Sequence, residues 1–266
     1  MSTTSFADGR VLLHGGEISR IELNAPERRN AMSRAMWAAM AEICDVLDGD
    51  DSVRVVLLTA ASKAGKPAFC AGADISEFEE VYATPQSTKA YNRLVRDAQS
   101  RLRSLARPLL ARISGACVGG GCGLALAADL RFADHSVRMG ITPTRLGLAY
   151  SPEDTLQLIE KVGPTVAKDL LFSARLVEAE EARAIGLIDR LVAPDALEDA
   201  VMDYARQLAG LSAQSIRAAK TIVNGLTAAA PVDLSPLRSV FEASFDSEDF
   251  REGRQAFLER RPPRFR

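Results

Sequence analysis

The run Gly119-Gly120-Gly121 stands between an apolar segment, Leu109 to Ile113, and a segment rich in Ala and Leu, Leu124 to Ala128. The first reads as a buried strand that runs through the glycines straight into a helix. A helix that begins on glycine leaves its first N–H groups unpaired, with no side chain over them. Such a turn aims donors at whatever lies beside it and can hold an oxygen that becomes negative. A glycine turn can also serve only to let strand and helix pack closely. Spacing removes two other uses. The G-x-G-x-x-G fingerprint needs a third glycine where Leu124 stands, and no Gly-Lys-Ser/Thr follows to make a P-loop.

A chain of 266 residues can bury one large core with an appendage, or two small ones. With 47% hydrophobic and 26% charged residues it is an ordinary globular protein, not a disordered one. A net charge of −2 argues against a partner made of nucleic acid. No apolar run is long enough for a membrane span. Met1 to Arg10 lacks the apolar centre of a signal peptide. Cys44, Cys70, Cys117 and Cys122 have no disulfide-scaffold spacing, so they read as reduced thiols of a cytoplasmic protein. Cys117 and Cys122 have only His14 and His135 to help them, so no metal site is expected. The same shortage of histidine, with no G-x-S-x-G elbow, argues against a Ser-His-Asp hydrolase.

Along the chain, Val11 to Leu13 and Ile18 to Leu23 read as paired strands about Gly15-Gly16, and Pro26 ends the second. Ser33 caps a helix to Leu47. Val53 to Thr59 is a buried strand, Ala60 to Ala73 a loop, and Asp74 to Tyr82 helical. Gln86 to Leu105 is a long amphipathic helix. After the glycine turn come short strands, Leu130 to Ala133 and Val137 to Met139, then a loop from Gly147 to Asp154. Helices run to Gly186, and Leu187 to Val192 is the last strand. From Pro194 onward only helices are expected. The division is therefore an α/β core over 1–193 and a helical region over 194–266.

Four stretches, in order, resemble the crotonase superfamily of enoyl-CoA hydratases and isomerases. They are Ile21 to Met32, Phe69 to Ile75, the triple-glycine segment, and Ala184 to Ile188. The resemblance implies a spiral of ββα units with a C-terminal helical trimerisation region, as a homotrimer or a dimer of trimers. It implies an acyl-CoA substrate, no cofactor beyond the coenzyme A that the substrate carries, and an oxyanion hole for a thioester enolate. The family's two oxyanion donors fall on the N–H groups of Ala73 and Gly120. Its CoA contacts fall on Arg28, Ala31, Ala71, Asp74 and Ile75. Phe257 and Arg260 match a tail pair that reaches the CoA of a neighbouring subunit, and Arg261 and Arg264 add positive charge near it.

The hydratases of this family position water with two glutamates. Gly123 and Pro143 stand at those places, and neither can move a proton. The segment Met139 to Tyr150 and the tail Phe245 to Arg260 instead resemble the methylmalonyl-CoA decarboxylase branch. There Tyr150 matches a residue beside the reacting carboxylate and Thr142 a residue of the pocket. Loss of CO₂ creates the enolate without a base, so a decarboxylase-like lyase is the favoured reading. The branch carries His at the place of Ala73 and Glu at that of Gly123, so this pocket is smaller and less polar.

Glu153 and Asp154, at the start of a helix, are either capping residues or relocated acids of a hydratase or isomerase. His135 reads as an exposed turn residue. Tyr150 is either catalytic or a core aromatic with its hydroxyl paired. A third reading, from another class, is a CoA-binding protein without catalysis.

Overall fold

The computed structural model describes residues 2–63, 65–227 and 235–264. Strands β1 (Thr3–Phe6), β2 (Val11–His14) and β3 (Ile18–Leu23) form an antiparallel meander. Helix α1 (Arg34–Asp48) follows, capped by Ser33, whose Oγ accepts from Met36 N–H. Thereafter the chain repeats one move. Strand β4 (Val55–Ala60) enters one sheet and β5 (Ala68–Cys70) a second, before helices α2 (Phe78–Val81) and α3 (Pro85–Ser104). Strand β6 (Leu109–Ile113) enters the first sheet and β7 (Ala116–Val118) the second, before α4 (Gly120–Ala127). Strands β8 (Leu130–Asp134) and β9 (Arg138–Gly140) do the same before α5 (Pro152–Ser173). The chain continues through β10 (Leu176–Glu178), α6 (Ala179–Ala184), β11 (Arg190–Val192), α7 (Leu197–Ala209), α8 (Ala213–Thr227), α9 (Ser235–Ser244) and α10 (Glu248–Leu258).

The first sheet runs β1-β2-β3-β4-β6-β8-β11 and the second β10-β9-β7-β5. Successive units pair in parallel within each sheet, so the ββα repeat winds as a spiral. Alternation on β4 shows how both faces of the first sheet are buried. Val56 and Leu58 enter the large core with α1 and α3, while Val55 and Leu57 meet Leu110, Phe132 and α7 on the other face.

Several sequence expectations are corrected. The segment 109–119 is not one strand running into a helix, because β7 lies between β6 and α4. The expected loop 60–73 contains β5. Three residues are too few to show a period, so both strands were hidden in the turn-rich sequence around them. Only Arg190–Val192 of the expected strand 187–192 joins the sheet. The buried Arg131 accounts for this: its Nε donates to Leu187 O at 3.0 Å, and its guanidinium pairs with Asp189 at 2.6 Å. These bonds, with Asp189 N–H donating to Arg131 O at 2.9 Å, hold residues 187–189 against the start of β8, and regular pairing begins at Arg190. The expected helix from Leu234 begins at Ser235, and Leu234 itself lies outside the described residues.

Strand β5 of the second sheet and α4 meet at Gly121. A Cβ there would lie 2.4 Å from Cys70 O and 2.8 Å from Cys70 Cβ. Gly121→Ala is therefore expected to lower stability by about 1–3 kcal/mol through overpacking. Urea unfolding followed by the fluorescence of the single tryptophan, Trp37, checks it. An unchanged midpoint would show that this contact is not tight.

Candidate active site

Two chain ends converge at this contact, the exit of β5 and the start of α4. Met32 N–H donates to Gly72 O at 2.7 Å, and Asp74 N–H donates to Met32 O at 2.9 Å. These bonds flank Ala73 and turn its own N–H to the opposite side. Gly119 caps α4 with φ 54° and ψ −116°, a backbone shape that a side chain disfavours. Its N–H is taken by Gly140 O at 2.8 Å. Gly120 then opens the helix, and a Cβ on it would be 3.8 Å from Ala73 N. Two backbone donors from successive ββα units thus lie side by side.

They stand where two cavities join. One, of about 160 Å³, is lined by Trp37, Tyr91, Asp154, Phe241 and Phe245 among others. The second, of about 170 Å³, is lined by Ala71, Gly72, Ile75, Thr142, Pro143 and Leu146 among others. Ala73, Tyr82, Gly120, Leu148 and Tyr150 line both. A thioester carbonyl at the junction would meet the two N–H groups, with one part of the ligand in each cavity.

Tyr150 and Asp154 are the buried polar groups beside this junction. The Tyr150 hydroxyl has no hydrogen-bond partner among the described residues, and burial pushes its phenol well above the usual value. The expected alternative of a core tyrosine with a paired hydroxyl is thereby corrected. Ser151 is the N-cap of α5 and accepts from Asp154 N–H at 3.0 Å. Its hydroxyl donates to Asp154 Oδ2 at 2.7 Å, while Oδ1 has no partner of good geometry. Burial raises the Asp154 carboxyl to about 6, against the pull of the Ser151 hydrogen bond. Glu153 differs: Arg238 pairs with it at 2.6 Å. Ser151 is therefore the cap, and Asp154 is the buried carboxyl whose Oδ1, beside Gln99, lacks a hydrogen bond of good geometry.

The candidate CoA residues divide as well. Ala71 and Ile75 line the second cavity. Asp74 and Arg28 are near it but bind each other at 2.6 Å, and Ser76 Oγ donates to Asp74 at 2.7 Å. Burial alone would raise the Asp74 carboxyl; these hydrogen bonds outweigh it and hold the group below its usual value. Ala31 lies next to Met32 on the same loop and lines neither cavity. Phe257 is half exposed and lines neither, and Arg260 is exposed. Arg261 is tied to Glu252 and Glu259, each at 2.6 Å, rather than offered to a ligand. His135 is an exposed turn residue beside Glu180.

Sequence reasoning missed Trp37, Tyr82, Tyr91, Gln99 and the inward role of the tail phenylalanines. Tyr82 makes ring contacts with Tyr91, Phe245 and Phe250, so the tail covers the cavity of its own chain. Phe241, Phe245, Phe250 and Phe257 recur at helical spacings that suggest one exposed assembly face, but Phe241 and Phe245 line the cavity and Phe250 is buried, so of the four only Phe257 is half exposed. A usable signal was present in α3, where polar Thr88 and Gln99 fall on the buried face with Tyr91 and Leu102.

The model of the enoyl-CoA hydratase/isomerase family matches residues 14–266. (E)-benzylidenesuccinyl-CoA hydratase from Thauera aromatica is 32% identical over 253 residues, covering 94% of this chain and 95% of that protein. A solved structure of an enoyl-CoA hydratase/isomerase family protein from Hyphomonas neptunium is 41% identical, with TM-score 0.79 and 97% of each chain covered. Methylmalonyl-CoA decarboxylase in complex with 2-nitronate-propionyl-CoA is 25% identical, with TM-score 0.85, covering 97% of this chain and 98% of that one. The match runs through both sheets, the glycine turn and the helical tail, and the chain belongs to the enoyl-CoA hydratase/isomerase family, the crotonase superfamily of acyl-CoA enzymes.

Proposed function

We propose that this protein binds an acyl-CoA with its thioester oxygen on Ala73 N–H and Gly120 N–H and forms the enolate by loss of CO₂. The observation that carries the reading is the pair of donors at the junction of two cavities, with no carboxylate at Gly123 or Pro143. Each such donor contributes about 2.7–4 kcal/mol to an oxyanion transition state. In decarboxylation the C–C electron pair moves into the enolate, so no base is needed to start. The unpaired Tyr150 hydroxyl is a neutral donor for the departing carboxylate, and Thr142 lines the same region. The likeness to methylmalonyl-CoA decarboxylase supports this choice.

One observation favours a second reading, hydration or isomerisation. The acyl cavity holds a buried carboxyl, Asp154, with one oxygen unpaired. Glu153, fixed by Arg238, does not serve that reading. On either reading CoA runs past Ala71 and Ile75, with Arg28, Ala31 and Asp74 at its phosphate and adenine end and Phe257 and Arg260 supplied by a neighbouring subunit. We assign the trimer contact to α8, where Ile222, Val223 and Leu226 are 59%, 57% and 81% exposed. The helical region 194–266 is then the assembling part of the chain, and the site works without a metal in the cytoplasm.

Three outcomes test this. Mass spectrometry of an acyl-CoA panel should find loss of CO₂ from a β-carboxyacyl-CoA and hydration of crotonyl-CoA at least about 10³-fold below an ordinary hydratase. Tyr150→Phe should slow the CO₂ loss. Efficient hydration would install the second reading, and CoA binding with no turnover would make the protein a non-catalytic binder. In calorimetry with free CoA, Arg28→Glu should weaken binding about 10–100-fold, the loss of one charge-assisted contact. Light scattering should give a trimer or hexamer, and Leu226→Glu should reduce it; a stable monomer at micromolar concentration refutes the assembly.

A further inference from the structure

We propose that Asp154 is the group that exchanges a proton with the α-carbon of the bound acyl-CoA. This rests on the reading of the junction as an enolate site, but not on how the enolate is made. Asp154 lines the same cavity as Ala73, Gly120 and Tyr150. Its two oxygens are unequal. Oδ2 is anchored by the Ser151 hydroxyl, which fixes the carboxyl, and Oδ1 is buried beside the Gln99 amide without a hydrogen bond of good geometry. A buried carboxyl oxygen with so poorly aligned a partner is under-satisfied, which suits a group whose better partner arrives with the substrate.

The room for this carboxyl comes from Gly123. A Cβ on that residue would lie 2.9 Å from Asp154 Oδ1 and 2.2 Å from Gln99 Nε2. The missing side chain on α4 is thus replaced in space by one from α5 and one from α3. Other groups at the junction do not compete. Glu153 is neutralised by Arg238, and the Tyr150 phenol stays protonated.

The surroundings set the acidity. Gln99 faces Asp154 from α3, is uncharged and pulls the carboxyl down through its amide, and Gly123 faces it from α4. Glu153 on its own helix raises it, with Arg238 of α9 offsetting that charge; Tyr150 and Ser151 adjoin it, and Lys89, Arg93 and Arg96 of α3 and Glu242 of α9 line the same cavity. Burial is the largest influence and lifts the carboxyl to about 6. An anionic substrate entering the cavity lifts it further, so the acid is protonated when the enolate forms.

The step balances simply. The enolate C=C pair takes the Oδ1 proton and becomes the new C–H bond, while the oxyanion pair restores the carbonyl. Asp154 is left as carboxylate and regains a proton from water. With a saturated acyl-CoA the reverse occurs first, and the carboxylate removes an α-proton.

That reverse step is the test. Butyryl-CoA is incubated with the protein in D₂O, and α-deuterium is followed by mass spectrometry. Wild type should exchange, with a rate that rises through about pH 6 as the carboxylate forms. Asp154→Asn should slow exchange by at least about 10²-fold, the usual scale of acid–base help. CoA affinity should stay within about threefold, and Asp154→Glu should restore part of the rate. Folding is followed in parallel. A raised native carboxyl binds more protons than the unfolded chain between about pH 4 and 6, so it weakens the fold as pH rises through that window. Asp154→Asn should therefore melt above wild type at pH 8 and lose that advantage near pH 4. No exchange in wild type, a flat profile between pH 5 and 8, or exchange in Asp154→Asn within about threefold of wild type each overturns the assignment. Asp154-dependent exchange without CO₂ loss from any β-carboxyacyl-CoA upholds it and sinks the decarboxylation reading instead. CO₂ loss without such exchange does the converse.

Discussion

The contact between Gly121 and Cys70 is the constraint on which the site depends. Each ββα unit places one short strand in the second sheet, and the chain leaves that strand at the edge of the core. Only when α4 starts almost against the end of β5 can N–H groups from two different units serve one oxygen. A backbone oxygen, Cys70 O, fills the space that a methyl group on residue 121 would need. The electrostatics of the site therefore follow from a packing distance. In the proposed site no charged side chain would be spent on the oxyanion, and the donors would need no reorganisation because they are fixed by the exit of β5 and the start of α4.

The glycine turn made this part of the architecture legible. A strand, three glycines and an Ala/Leu helix leave few arrangements, and α1, α3, β4 and β6 followed from period and capping. The strands β5, β7 and β10 were not legible, because each has three residues; β5 and β7 also sit beside glycine or proline, and β10 lies between two helices. The aromatic wall was missed for another reason. Tyr82, Tyr91, Phe245 and Phe250 are scattered over the chain, and only the fold gathers them. The tail phenylalanines looked like an assembly face because helical spacing reports which residues share a side, not what that side meets.

Asp154 illustrates a similar limit. The sequence placed two acids at the start of a helix and could not tell them apart. Their difference is made by distant residues: Arg238 from α9 engages Glu153, while Gln99 from α3 and the bare Gly123 from α4 make a place for Asp154. Both side chains also belong to a helix start, where a Ser151 hydroxyl and a backbone N–H must be satisfied in any case. One short network serves folding and holds the carboxyl proposed to act on substrate at a fixed orientation.

Gly123 carries a consequence for how such a chain can change. A carboxyl borne by α4 and one borne by α5 would compete for the same volume, so the two arrangements exclude each other. Passing from one to the other takes two substitutions. The order matters, because filling position 123 first crowds the ends of Gln99 and Asp154, and removing Asp154 first leaves the cavity with Glu153, held by Arg238, and Glu242 as its remaining carboxylates. Either order passes through a less favourable intermediate, so the place of the acid would be changed in two coupled steps rather than one.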